Sequence, residues 1–237
     1  MLPELVNGLE IAVVYFLICV TGALILHRFF TVPKEVFRKI LHLIILGSIF
    51  VWTNAFHTWW VAVIAVLGFI AVVFPFLAIA ERLVPGYTDL LTERRAGEVK
   101  TSLLGAFAMF ALIIAVCWGI LGERYLVLAS VLAWGLGDAA AALVGKRFGR
   151  HHVEGRHIEG RKSLEGTLAM FVVSFAVVFL VLLIHGAAFR FEYIPIAFLT
   201  AAVCTAAELF TRYGLDNITC PLAAASVLIP LVTLAVR

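Results

Sequence analysis

The chain has 237 residues, 63% of them hydrophobic and 14% charged, with a mean hydropathy of +1.08 and a net charge of +3. A soluble domain of this length cannot cover that much apolar surface, so a soluble fold is excluded and a polytopic integral membrane protein is expected. The small net charge gives no reason to expect a nucleic-acid partner, and the placement of the charges says more than their sum.

A membrane-spanning helix needs about 20 predominantly apolar residues. Eight stretches meet that length, at roughly 9–28, 36–54, 58–80, 100–121, 124–145, 164–185, 193–213 and 217–236. The first lacks a basic leader and a small-residue cleavage pattern, so it reads as a retained helix and not a signal peptide. The last contains Pro221 and Pro230, which membrane helices tolerate when neighbours satisfy the freed carbonyls. No linker or low-complexity tract divides the chain. The expectation is therefore one all-α transmembrane domain over 1–237, with N-terminal spans in 1–121 and motif-bearing spans in 122–237. Cys19, Cys117, Cys204 and Cys220 lie in or beside apolar runs without metal-ligand spacing and read as packing residues.

Lysine and arginine set the orientation. The connection after the first span carries Arg28, Lys34, Arg38 and Lys39. The one after the third carries Arg82, Arg94, Arg95 and Lys100, and the one after the fifth carries Lys146, Arg147, Arg150, Arg156, Arg161 and Lys162. Arg212 follows the seventh span, which leaves Arg124, Arg190 and Arg237 elsewhere. Such alternation supports eight spans and, by the positive-inside rule, places these four loops in the cytoplasm and both termini outside. His42, Glu81, Glu98, Asp138, Glu165, Glu208 and the Asp216-Asn217 pair then gather at the cytoplasmic face, beside most of the cations. That clustering points to an active site there.

Asp138 lies seven residues before Gly145, about 10 Å deep at a rise of about 1.5 Å per residue. An ionisable group inside a span is a functional hypothesis by default, set against a structural role as partner to an arginine. Gly135 and Gly137 flank it and let a backbone or a ligand approach closely. A carboxylate here suits Mg²⁺, which takes one or two carboxylates together with phosphate oxygens. The loop 145–163 alternates Gly145, Gly149, Gly155 and Gly160 with its six cations. It reads either as a phosphate-binding loop, with Lys146, Arg147, Arg161 and Lys162 around a helix start capped by Ser163, or as a solvated loop touching anionic headgroups. Its spacing misses a P-loop by one residue, and no strand precedes it. Asp216-Asn217, with Glu208, can supply a second metal or ribose contact, or only a turn and a cap. Arg38 and His42 share a helix face, next to Lys39, and are either substrate contacts or membrane-edge anchors. Glu98 is a further candidate.

Three ordered segments resemble one family: Trp134-Gly-Leu-Gly-Asp138 through Gly149, Gly160-Arg-Lys-Ser-Leu-Glu165-Gly166-Thr, and Glu208 followed by Asp216-Asn217-Ile-Thr-Cys-Pro221. They are similar to the CTP-dependent polyprenol, dolichol, phytol and diacylglycerol kinases, membrane enzymes related to CTP:phosphatidate cytidylyltransferases. Arg38-Lys39-Ile-Leu-His42 resembles the family's N-terminal R-K-x-x-H motif, and the Lys-Ser-Leu-Glu-Gly-Thr wording resembles dolichol kinases most. The resemblance implies transfer of a phosphoryl group from CTP to a lipid alcohol of polyprenol or dolichol type in the bilayer. Asp138 and Asp216 would hold Mg²⁺. Lys146, Arg147, Arg161, Lys162, Ser163 and Asn217, with Arg38, Lys39 and His42, would contact the nucleotide. Asp138, Glu165 or Asp216 would take the alcohol proton. The implied location is the plasma membrane of a prokaryote, or the endoplasmic reticulum or plastid membrane of a eukaryote, with the site facing the cytoplasm. Two other readings stand beside it: a cytidylyltransferase making a CDP-lipid, and a small-anion transporter. The oligomeric state is left open.

Overall fold

The computed structural model describes residues 1–83, 87, 91, 97–153, 162–186, 190–211 and 215–236. Among them are eight helices long and apolar enough to cross a membrane, as the hydropathy pattern predicts. They are α1 (Leu2–Phe29), α2 (Lys34–Asn54), α3 (Trp59–Leu83), α4 (Glu98–Ile113), α5 (Arg124–Phe148), α6 (Leu164–His185), α7 (Tyr193–Phe210) and α8 (Asp216–Val236). The departure from an all-helical architecture is a two-residue antiparallel pair, β1 (His152–Val153) with β2 (Lys162–Ser163), in which His152 faces Ser163 and Val153 faces Lys162. Two residues per strand are too few for the alternating pattern by which a sequence announces a strand.

The contacts divide the chain into two compact units, Met1–Ala115 and Val116–Arg237. In the first unit, α1 ends where Phe30 turns extended and Pro33 precedes α2, since a proline disfavours helix in the residue before it. The start of α3 is capped from a distance: the Glu4 carboxylate accepts from the amides of His57 and Thr58 at 2.8 and 2.9 Å, filling donors that a helix start leaves open. The core is aromatic. Phe69 stacks on Phe107 at 5.5 Å between ring centres, and Trp52 meets Phe107 edge-on at 5.9 Å, an arrangement the ring quadrupoles favour. The Trp52 indole donates to Ser48 Oγ at 3.1 Å, so its polar edge is satisfied within the apolar core. Helix α4 begins at Gly97, whose φ of 78° is costly for other residues, and runs on as π-helical turns over Ile114–Ile120 until Gly122, also at φ 78°.

The second unit holds α5 to α8, each packed against the next and α8 closing back on α5. With short connections this is an up-and-down arrangement. One end therefore gathers the C-termini of α5 and α7 and the N-termini of α6 and α8. The α5–α6 contact is close because small residues recur every fourth position on α5, at Ala133, Gly137, Ala141, Gly145 and Gly149. A Cβ on Gly137 would stand 2.5 Å from Ser174 Oγ, and one on Gly166 would stand 2.8 Å from the Ala141 carbonyl. Ser174 donates to the Ala133 carbonyl at 2.7 Å across this seam. Large side chains such as Leu168, Val172, Leu180 and Phe198 point outward, as expected of a surface that meets lipid instead of water.

Candidate active site

The end of the second unit that carries the polar motifs is held by a small set of contacts. The last turn of α5 presents Lys146 and Arg147, both exposed. The chain leaves this helix at Gly149, where a Cβ would stand 2.2 Å from the Gly145 carbonyl and 2.8 Å from Ser163 Oγ. Only glycine fits there without moving backbone. After the hairpin, Ser163 caps α6 as its sequence position predicts, accepting from the Gly166 amide at 3.1 Å.

Glu165 lies in the first turn of α6 and reaches back to the hairpin. Its carboxylate accepts from the amides of Arg150 at 3.1 Å and His151 at 3.2 Å, and meets His151 Nδ1 at 2.8 Å. The Leu164 amide donates to the His151 carbonyl at 2.9 Å. Among the first-turn amides of α6, those of Leu164 and Gly166 are therefore already used. A phosphate at this helix start would meet fewer open donors than an uncapped terminus offers.

Lys162 is tied to a different helix. Its ammonium lies 2.9 Å from Glu208 Oε1 and also donates to the Glu208 and Leu209 carbonyls in the last turn of α7. Thr211, just past that turn, shares a 2.7 Å hydroxyl contact with Thr219 in the first turn of α8. The four helix ends thus form one hydrogen-bonded assembly. Asp216 opens α8 and is half-buried, Asn217 is buried, and Asp138 sits half-buried on α5.

The second unit accordingly carries Asp138, Lys146, Arg147, Glu165, Glu208, Asp216 and Asn217 on helices that share this end, and Lys162 and Ser163 on β2 just before α6. Arg38, Lys39 and His42 belong to the first unit, at the start of α2. There Arg38 is ion-paired with Glu35 at 2.6 Å, Lys39 is buried and His42 half-buried. Arg161 lies outside the described residues, as does the side chain of Glu98. Sequence reasoning singled out Gly137 as a point of close approach and overlooked Ser174 and His151 as supports of the site. The four-residue spacing of small residues on α5 was the available signal for the seam that Ser174 joins, and His151 had none.

Among the described residues no three His, Cys, Asp or Glu side chains converge as a preformed metal site. Magnesium does not need one, because it takes one or two carboxylates and completes its shell with water and substrate phosphate. The oxygen donors of Asp138 and Asp216 fit that demand in chemistry.

No family model and no solved structure matches the chain. It is similar to the phytol kinase of Synechocystis sp. (strain ATCC 27184 / PCC 6803 / Kazusa), with 34% identity over 224 residues that cover 91% of this chain and 87% of that protein. A match over nine-tenths of the chain extends into both units. The chain belongs to the polyprenol, phytol and diacylglycerol kinase family of membrane lipid kinases.

Proposed function

We propose that this protein transfers the terminal phosphoryl group of a nucleoside triphosphate, CTP by family resemblance, to the hydroxyl of an isoprenoid alcohol at the cytoplasmic face of the membrane. The observation that carries the reading is the phytol kinase relative, matched along nine-tenths of the chain. The helix ends described above add to it, because they set carboxylates beside exposed cations at one end of an apolar bundle. The relative's name draws the acceptor toward phytol, while the Lys162-Ser-Leu-Glu-Gly-Thr167 segment draws it toward polyprenols and dolichol; both are single-chain isoprenoid alcohols.

Phosphoryl transfer needs little covalent help and much positioning and charge neutralisation. Asp138 and Asp216 would hold the divalent metal, which when bound neutralises phosphate charge. Lys146 and Arg147 are exposed at the end of α5, where they can meet a soluble nucleotide, and Arg161 and Asn217 are further contacts. Asp138, Glu165 or Asp216 would take the alcohol proton; Glu165 also accepts from two amides and an imidazole. The alcohol enters from the bilayer with its tail among apolar side chains.

The test incubates purified protein with γ-labelled CTP, Mg²⁺ and phytol, geranylgeraniol, polyprenols, dolichol or diacylglycerol. Label is expected in an isoprenoid monophosphate, with CDP released. Label in no lipid rejects the kinase reading, and release of pyrophosphate with an α-labelled lipid product establishes a cytidylyltransferase instead.

A further inference from the structure

We propose that Lys162 is a positioning residue and not a nucleotide contact: with Glu208 as its counter-charge, it braces the start of α6 against the end of α7. This deepens the kinase reading and rests on it. A lysine ammonium has three N–H donors, and here three acceptors surround it: the Glu208 carboxylate at 2.9 Å, the Glu208 carbonyl, and the Leu209 carbonyl at 3.4 Å. Both side chains are largely withdrawn from solvent, Lys162 at 20% and Glu208 at 13% exposure. The two carbonyls belong to the last turn of α7, where helix geometry supplies no amide partner and the helix dipole is negative. A cation there meets a charge, a dipole end and two open acceptors together, which accounts for a lysine held in place instead of reaching into water.

The consequence lies one residue away. Lys162 belongs to β2, Ser163 caps α6, and Glu165 holds the backbone of Arg150 and His151. Ser163 also packs against Gly149, at the exit of the helix that carries Lys146 and Arg147. Fixing Lys162 to α7 therefore fixes the register of the hairpin and of the cations beside it. Rates of transfer fall steeply when reacting groups are misplaced by as little as about 1 Å, so the brace acts on turnover. A phosphate contact would instead act on nucleotide affinity.

The experiment is a double-mutant cycle on the full-length protein, using Lys162→Met, Glu208→Gln and the double variant. It reads kcat and nucleotide KM in the CTP assay and the midpoint of thermal unfolding in detergent. Each single variant is expected to lower kcat by about tenfold or more and to leave nucleotide KM within about twofold. The double variant is expected to be no slower than the slower single, and its loss of thermal stability no larger. A rise of nucleotide KM in Lys162→Met that Glu208→Gln does not share overturns the proposal, as do kcat losses that multiply in the double variant. Should Lys162→Met fail to fold, Glu208→Gln decides alone, since wild-type turnover in that variant is incompatible with a brace. If the wild-type protein phosphorylates no alcohol, the kinase reading fails separately. The unfolding cycle then tests the brace by itself, and additive losses reject it.

Discussion

Asp138 and Glu165 carry the same functional group in opposite settings. Glu165 sits at a helix start, where the dipole favours a carboxylate, and it collects Arg150, His151 and the His151 ring. Its work is to hold the hairpin to α6. Asp138 lies within an apolar helix whose sequence has no local need for a charge. The two carboxylates should therefore respond differently to neutralisation. Asp138→Asn is expected to abolish transfer, by at least about a thousandfold if metal and phosphate lose their main anchor, while the unfolding midpoint stays near wild type. Glu165→Gln keeps an oxygen at the Oε1 position that accepts from both amides and loses only the charge, so transfer is expected to fall far less, with a lower unfolding midpoint as the main effect. Labelled-CTP turnover beside thermal unfolding separates the two; near-normal turnover in Asp138→Asn would remove Asp138 from the mechanism. In the wild-type assay, chelation of divalent metal should stop transfer and added Mg²⁺ restore it.

At the scale of elements, the site depends on how closely α5 and α6 approach. Ala133, Gly137, Ala141, Gly145 and Gly149 leave no side chain large enough to hold the helices apart, and Ser174 adds a hydrogen bond to the seam. Alanine is the smallest test of that closeness. Gly166→Ala drives a methyl toward the Ala141 carbonyl, and Gly149→Ala drives one toward the Gly145 carbonyl. Backbone cannot yield as a side-chain tip can, so each should cost about 1–3 kcal/mol of stability and lower turnover, with Gly149→Ala the more damaging because it also presses on the Ser163 cap. Gly22→Ala, on α1 with nothing within 4 Å of the added methyl, is the control and should be neutral or slightly stabilising. Detergent unfolding midpoints for the three variants check the order.

For the whole molecule, the charge map makes the firmest statement about orientation. The three connections richest in lysine and arginine follow the first, third and fifth spans, and a membrane protein keeps such loops on the cytoplasmic side. Thr31 lies in the first of them and His57 in the cation-free connection after the second span, and both are exposed. In a background with the four native cysteines replaced, a membrane-impermeant thiol reagent should label His57→Cys in intact cells. It should label Thr31→Cys only after permeabilisation. The reverse pattern would invert the topology and move the proposed site away from cytosolic nucleotide.

Hydropathy alone determined eight segments long and apolar enough to cross a bilayer, and the helix bounds follow it to within a few residues except at α1, which starts at Leu2 and not at 9, because partition into lipid is a property of each segment by itself. The helix start at Ser163 was legible for a similar reason, since a cap needs only its own next three residues. Asp138 was legible as a lone charge in an apolar run. What the sequence could not decide was the partner of each polar group. Lys162 and Glu208 are 46 residues apart, and only the packing of α7 beside α6 brings the amine onto the carbonyls of that helix end. The contacts of Glu165 were hidden too, because spacing says nothing about which amides a carboxylate will meet. Pairing is a long-range event, set by which helices neighbour one another, so only the tertiary structure decided that Lys162 meets Glu208 and that Glu165 meets Arg150 and His151.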